Sequence, residues 1–293
     1  MIDGRTRLVG LLGWPVAHSL SPLMHNAAFD ALGLNGRYVP LPVRPGQVAT
    51  AVRGLAALGF CGVNVTVPHK QAVLSVVDRV VPEARVMGAV NTLVIKQGDG
   101  APVISGHNTD LPGFLLALAH GGFDLAGDTP AVVVGAGGAA RAVVAGLLAD
   151  SSREVWVLNR TPEKAQALVT EMGAAYGCAE RLAAGPLTRD HLVDHVRAAG
   201  LLVNATTVGM WPRSEASIWP EAVPVPGGIT VFDLVYNPLE TLLLRQARQA
   251  GAQAIDGLEM LVQQGALSFA LWAEAVVDVG EVAGVMRAAL AAR

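Results

Sequence analysis

Residues 131–142 read Ala131-Val132-Val133-Val134-Gly135-Ala136-Gly137-Gly138-Ala139-Ala140-Arg141-Ala142, an apolar run broken by glycines and resumed as a helix-forming stretch. Ala131–Val134 has no polar face, which suits a strand covered on both sides in a parallel sheet. Gly135 permits a tight turn, Gly137 lets the backbone approach a pyrophosphate, and Ala140 lets the next helix lie close to the sheet. That helix start offers free N–H groups and a partial positive charge to phosphates. Gly135, Ala136, Gly137, Gly138, Ala139 and Ala140 therefore form a G-x-G-x-x-A turn in strand–turn–helix context, which points to a dinucleotide-binding Rossmann unit.

The next strand, Val155–Leu158, sharpens the cofactor reading. A site for the 2′-hydroxyl of NAD carries Asp or Glu about 20 residues beyond the turn. Here the strand runs into Asn159-Arg160-Thr161, with no carboxylate. A guanidinium stacks and forks onto a 2′-phosphate, and Lys164 lies one helical turn further on as a second cation. NADP(H) is therefore expected rather than NAD(H).

Outward from this centre the chain alternates apolar runs with helical patterns, as an α/β protein does. Strands are expected at Leu8–Leu12, Tyr38–Val43, Gly62–Val67, Val90–Ile95 and Val103–Ser105, with helices at Pro22–Leu32, Gly46–Leu58 and Pro68–Val77. Ser21 before Pro22 reads as an N-cap followed by proline at the first helical position. A second unit opens near Asp128, with further strands at Leu201–Asn204 and Ile229–Leu234. Late helices at Leu243–Gln249, Leu258–Ala273 and Glu281–Ala292 suggest a tail that packs back on the first unit.

Composition excludes several function classes. The 293 residues are 52% hydrophobic and 15% charged, with mean hydropathy +0.44, which rules out a disordered chain. A net charge of -3 and 5% aromatic residues argue against nucleic acid as a partner. The uncharged stretch Leu8–Phe29 contains Pro15, His18, Ser19, Ser21, Pro22, His25 and Asn26, a poor lipid-facing helix. MIDGRTR precedes no short apolar segment with a small-residue cleavage site, and Cys61 and Cys178 form no disulfide framework. The expectation is a soluble, cytoplasmic protein without membrane partners.

Polar residues gather at the expected strand ends of the first half. Ser19 and Ser21 flank Leu20 beside a helix start, a cradle suited to a carboxylate. Gly62–Lys70, GVNVTVPHK, puts Thr66 and Lys70 after an apolar strand, and Asn91-Thr92 and Asn108-Thr109-Asp110 add amide, hydroxyl and carboxylate groups. Such a set suits a small polyhydroxylated acid rather than an extended apolar ligand. His18, His25, His69 and His107 lack metal-ligand spacing, so structural or hydrogen-bonding roles and no metal are expected. Asp110 alone beside Asn108 is too little for a Mg²⁺ site.

Taken in order, GWPVAHSLSPLMHNAAF (Gly13–Phe29), GVNVTVPHK, MGAVNTL, GHNTD, GAGGAARA, NRT, NATTVGM, DLVYNP and GLEMLVQQ (Gly257–Gln264) closely resemble the shikimate dehydrogenase family. The resemblance implies NADPH-dependent reduction of 3-dehydroshikimate to shikimate, in aromatic amino-acid and chorismate biosynthesis. It implies an N-terminal α/β substrate domain with a mostly parallel sheet, completed by C-terminal helices, at residues 1–109 and 257–293, and an NADP-binding Rossmann domain at residues 110–256. It also implies that Ser19, Ser21 and Tyr236 bind the substrate carboxylate, and that Thr66, Asn91 and Gln264 contact ring hydroxyls. Lys70 and Asp110 become the catalytic pair, with Lys70 the acid in reduction and the base in oxidation. Gly135–Ala140 hold the pyrophosphate, Asn159, Arg160, Thr161 and Lys164 the adenosine phosphate, and Met210 and Gly257 lie near the nicotinamide. Trp14 and Trp211-Pro212-Arg213 stand at variable positions beside these motifs. A quinate/shikimate dehydrogenase with relaxed cofactor use, a silent NADP(H)-sensing module and a homodimer stay open at this point.

Overall fold

Two six-stranded sheets, each with its own core, organise the chain in this computed structural model, which describes residues 2–149, 151–273 and 276–292. The chain divides into two compact units, Met1–Thr109 with Val262–Arg293, and Asp110–Leu261. Met1, Asp150, Glu274, Ala275 and Arg293, which the domain ranges read from the sequence include, lie outside the described residues.

The first unit contains β1 (Arg7–Gly13), α1 (Ser21–Ala31), β2 (Gly36–Pro42), α2 (Val48–Ala57), β3 (Gly62–Val65), β4 (Arg79–Val80), α3 (Pro82–Met87), β5 (Thr92–Lys96) and β6 (Val103–His107). Its sheet runs β2-β1-β3-β5-β6-β4, parallel except that β5 is antiparallel to both neighbours. That reversal sets the start of β5 beside the ends of β3 and β6, pairing Thr92 with Asn64 and with His107. One face of the sheet packs with α2 in a core of Leu12, Val63, Val65, Leu93 and Ile95 with Val52. Removing such side chains from water stabilises by about 1.5–3 kcal/mol each.

Two local expectations are corrected. The helix expected at Pro68–Val77 is a single 3₁₀ turn, Ala72–Ser75, because the Lys70 carbonyl accepts the Val90 N–H (2.8 Å) instead of a helical partner. Ser21 is not the N-cap of α1. Leu20 occupies that position, and the Ser19 hydroxyl accepts the Ser21 N–H at 3.2 Å.

The second unit contains α4 (Asp110–His120), β7 (Ala131–Val134), α5 (Gly138–Ala149), β8 (Val155–Asn159), α6 (Pro162–Tyr176), β9 (Leu182–Pro186), α7 (Arg189–Arg197), β10 (Leu201–Asn204), β11 (Thr230–Asp233), α8 (Leu242–Gln249) and β12 (Gln253–Ile255). Its sheet is parallel throughout, in the order β12-β11-β10-β7-β8-β9. The chain moves outward from β7, then returns to β10 on the other side, so the strand order reverses between β7 and β10. Ligands of open α/β sheets bind outside the strand C-termini at such a reversal.

This unit begins before the strand pattern near Asp128, because α4 packs on α5 and Phe114 stacks on Phe232 at 5.5 Å. Arg153, 1% exposed, pins the segment leading into β7 by donating to the carbonyls of Asp124, Leu125, Gly127 and Thr129 at 2.7–3.1 Å. Of the three late helices, α8 stays in the second unit, where Leu243, Leu244 and Ala247 join its core. α9 (Leu258–Trp272) crosses from the second unit to the first, and α10 (Val279–Ala291) packs on α1.

α1 buries His25 completely between the Tyr38 ring (4.2 Å, stacked) and Trp272 (5.7 Å), and neither ring nitrogen has a hydrogen-bond partner among the described residues. Burial alone pulls this imidazole down to about 3. The unfolded chain therefore takes up a proton below pH 6.5 that the folded chain refuses, and stability is lost as pH falls from 6.5 towards 3. Wild-type stability, followed by urea unfolding, is expected to carry a loss of about 1.4 kcal/mol per pH unit from this residue. His25→Phe is expected to abolish that contribution while keeping the ring stack.

Candidate active site

At the strand ends of the first unit, Asn64, Asn91, Thr92, Thr109 and Ser268 form a buried hydrogen-bonded cluster that Gln264 joins. Asn91, 2% exposed, is its hub. Its Oδ1 accepts the Thr109 N–H (2.8 Å) and the Thr92 hydroxyl (2.9 Å), while its Nδ2 donates to Thr109 Oγ1 (2.9 Å) and Gln264 Oε1 (3.4 Å). Asn64 donates from Nδ2 to Ser268 Oγ at 2.8 Å, and its Oδ1 accepts the Tyr38 hydroxyl at 2.9 Å. Ser268 lies within 3.0 Å of both Thr92 and Thr109 and donates to the Gln264 carbonyl. Because Gln264 and Ser268 are four residues apart on α9, they share a helix face.

Lys70 is placed by its backbone. The Thr66 N–H donates to the Leu12 carbonyl, the Trp14 N–H to Val67, and the Val90 N–H to Lys70 itself, next to Asn91. The His69 ring donates Nε2–H to the Val43 carbonyl at 2.7 Å, an acceptor that fixes which nitrogen carries the proton. β1 comes so close to this loop that a Cβ on Gly13 would overlap Thr66 Cγ2 and sit 3.1 Å from the Val67 carbonyl. Thr66 and Lys70 are half-buried, as is Ser19, and Ser21 is buried. The two serines stand on the segment entering α1, far from Asn91 in sequence. His107 bonds Ser105 at 3.0 Å, and Trp14 lies under the Arg44 guanidinium at 5.0 Å.

In the second unit, Asp110 is buried and opens α4. Gly135 has φ +118, and a Cβ there would meet the Ala205 carbonyl at 3.0 Å, where β7 and β10 diverge. Open space surrounds the missing side chain of Gly137, and Ala140 is fully buried. Asn159 Nδ2 donates to the Thr161 carbonyl at 2.9 Å, closing the turn into α6. Arg160, Thr161 and Lys164 are exposed, and neither cation is in an ion pair among the described residues. Met210 and Tyr236 are half-buried on the loops after β10 and β11, and Gly257 donates to the Val235 carbonyl at 3.3 Å.

Sequence reasoning missed a second buried cluster, at the ends of β10 and β11. Asn204, Asp233 and Thr241 are each fully buried. Asn204 donates to Asp233 Oδ1 (2.9 Å), and Asp233 Oδ2 accepts the Thr241 hydroxyl (2.7 Å). Burial pushes the Asp233 carboxyl up to about 6, against hydrogen bonds from Thr241, Val235 and Asn204 that favour the anion. The available signal was a lone carboxylate ending the apolar run Thr230–Asp233. Ser268 was missed similarly; a serine one turn beyond Gln264 in an otherwise apolar helix segment was its only mark. Among the described residues no three His, Cys, Asp or Glu gather as metal ligands, and no helix is long and apolar enough to cross a membrane.

Ser268→Ala is expected to lower stability by about 0.5–1.5 kcal/mol in urea unfolding, because it removes the shortest of three acceptors around Asn64 Nδ2 together with the hydroxyl contacts to Thr92 and Thr109.

Known proteins resemble this chain in sequence and in architecture. A family model described as Shikimate dehydrogenase substrate binding domain matches residues 11–93, and one described as Shikimate / quinate 5-dehydrogenase matches residues 117–207. A Shikimate dehydrogenase (NADP(+)) of Moorella thermoacetica is 47% identical over 294 residues, covering 99% of this chain and 96% of its own. The shikimate 5-dehydrogenase of Thermus thermophilus, solved with NADP(H) and shikimate, superposes with TM-score 0.78 at 42% identity, covering 97% of this chain and 100% of that one. A quinate dehydrogenase from Corynebacterium glutamicum, solved with NAD, gives TM-score 0.83 at 33% identity over 97% and 99% of the two chains.

Proposed function

The chain belongs to the shikimate dehydrogenase family, and on that premise we propose that it catalyses the reversible NADPH-dependent reduction of 3-dehydroshikimate to shikimate, a step of chorismate and aromatic amino-acid biosynthesis. The observation that carries this reading is the 47% identity, over 99% of the chain, to a relative named for that activity. A cytoplasmic setting accords with two cysteines that stay free thiols.

The residues present fit the cofactor. The Gly135 turn has the left-handed backbone and close approach to β10 that a pyrophosphate loop needs, and Gly137 leaves its surroundings open. Arg160 and Lys164 are exposed without a competing carboxylate partner among the described residues, which suits a 2′-phosphate. When bound, the nicotinamide supplies hydride.

The chain's own residues then have separable tasks. Ser19 and Ser21, with Tyr236, hold the substrate carboxylate, while Thr66, Asn91 and Gln264 take ring hydroxyls. Asn91 and Gln264 are already bonded to each other, and Asn91 to Thr109, so little reorganisation is needed when a hydroxyl arrives. The Lys70 ammonium stabilises the negative charge growing on the carbonyl oxygen and donates the proton; in oxidation it removes one. Asp110 anchors a neighbouring substrate hydroxyl.

Absorbance of NADPH formed from shikimate and NADP⁺ tests the reading directly, and Lys70→Ala is expected to lower kcat by about 10²–10⁴-fold. Turnover of the variant at the wild-type rate removes Lys70 from the reaction. Arg160→Ala is expected to lower kcat/KM with NADP⁺ by about 10- to 100-fold through loss of a charge-assisted hydrogen bond, leaving that with NAD⁺ unchanged. An equal fall with both cofactors would move the phosphate contact elsewhere.

A further inference from the structure

The cluster of Asn204, Asp233 and Thr241 has no task in the reaction as described, yet its polar side-chain atoms bond the loops that do. Register pairs Asn204 with Asp233 at the last rung of β10 and β11. From there Asn204 folds the next loop around its own amide: Oδ1 accepts the Thr206 N–H (3.1 Å) and hydroxyl (2.7 Å), and Nδ2 donates to the Val208 carbonyl (3.1 Å). The Thr206 hydroxyl accepts the Val208 N–H in turn (3.1 Å). Asp233 does the same for the neighbouring loop, its Oδ1 accepting the Val235 N–H at 3.1 Å. Its other oxygen holds Thr241, whose hydroxyl caps α8 by accepting the Leu244 N–H (3.3 Å). The two loops are finally tied together where the Trp211 N–H donates to the Asn237 carbonyl at 2.9 Å.

We propose that Asp233 is a positioning residue for the reaction: through Asn204 and Thr241 it holds the loops 205–210 and 234–238, and with them Met210 and Tyr236, in one arrangement. This rests on the proposed function, from which Met210 and Tyr236 take their roles. The physical argument is one of alternatives. A carboxylate accepts only, and here it meets three donors, an amide, a backbone N–H and a hydroxyl. A carboxamide in its place turns an N–H₂ group towards the Thr241 hydroxyl, which must then accept instead of donate and loses the acceptor that its own hydrogen has here. A polar cluster that is buried and only partly satisfied loses its single geometry. The loops it anchors then sample more than one arrangement, although the strands below keep their apolar cores.

Two measurements on full-length Asp233→Asn test this, with Thr241→Val as a second disruption and Thr241→Ser as the conservative rescue. The first is amide hydrogen exchange on the protein without ligands. Residues 205–210 and 234–238 are expected to exchange faster in Asp233→Asn and Thr241→Val, residues 135–140 at the wild-type rate, and Thr241→Ser as wild type throughout. The second is steady-state kinetics with shikimate and NADP⁺. A fall in kcat between about 10-fold and 100-fold is expected, as for a modest misplacement of positioned groups. KM for NADP⁺ is expected to change by a smaller factor than kcat, because the pyrophosphate turn keeps its own anchor, the Gly135 N–H bond to the Leu158 carbonyl at 2.8 Å. Unchanged exchange in the two loops, or exchange that rises equally over 135–140, overturns the proposal. So does a kcat that falls only in step with the folded fraction. An inactive wild-type protein would instead reject the proposed function, while the exchange comparison would still decide whether Asp233 holds the loops. If Asp233→Asn fails to fold, the Thr241→Val and Thr241→Ser pair carries the same comparison.

Discussion

A polar atom removed from water must find a partner inside the protein, and that requirement shapes this molecule more than any other. Both sheets are covered by helices, so strand faces are apolar and side chains able to do chemistry are left to the strand ends. Several of those at the strand ends are too deeply buried to rely on solvent. In the first unit Asn64, Asn91, Thr92, Thr109 and Ser268 satisfy one another, and in the second Asn204, Asp233 and Thr241 do. Each cluster spreads over elements distant in sequence, so it also locks those elements together.

The antiparallel β5 shows how topology serves this requirement. Had β5 run parallel to β3, Asn91 and Thr92 would stand at the opposite edge of the sheet from Asn64. Reversed, it delivers them to the same edge, where Thr109 arrives from β6 and Gln264 and Ser268 arrive from α9. In the wholly parallel second sheet the same gathering comes from the reversal of strand order, which sets the Gly135 turn against the loop after β10. Not every buried polar group obeys. His25 lies between aromatic rings with neither nitrogen paired among the described residues, and its imidazole stays neutral. The ring there serves as a flat apolar surface.

Much of the fold could be read from local pattern. Ala131–Val134 and the helix beginning at Gly138 came from four apolar residues and a glycine-rich turn, since a doubly covered strand and a phosphate-binding loop each have few workable sequences. Short edge strands were not legible: β4 and β12 have only two and three residues, too few for periodicity to register. The Pro68–Val77 pattern looked helical because its apolar spacing allows a helix, whereas a backbone bond from the distant Val90 claims the Lys70 carbonyl. Asp233 was illegible for a related reason. Its environment is made by Asn204 and Thr241, which lie 29 residues before it and 8 after it.

Local pattern was enough to read the chain's class, its glycine turn, the lack of a carboxylate at the end of β8 and the residue types available for binding a small acid. These depend on local backbone sterics and on side-chain chemistry, which travel with the residue wherever it is placed. The tertiary structure alone decided which of those side chains are bonded to one another, that Leu20 rather than Ser21 caps α1, and that Ser268 and Asp233 anchor the two clusters. Hydrogen bonding and burial are properties of neighbourhoods, and neighbourhoods that join residue 64 to residue 268 exist only once the chain has closed on itself.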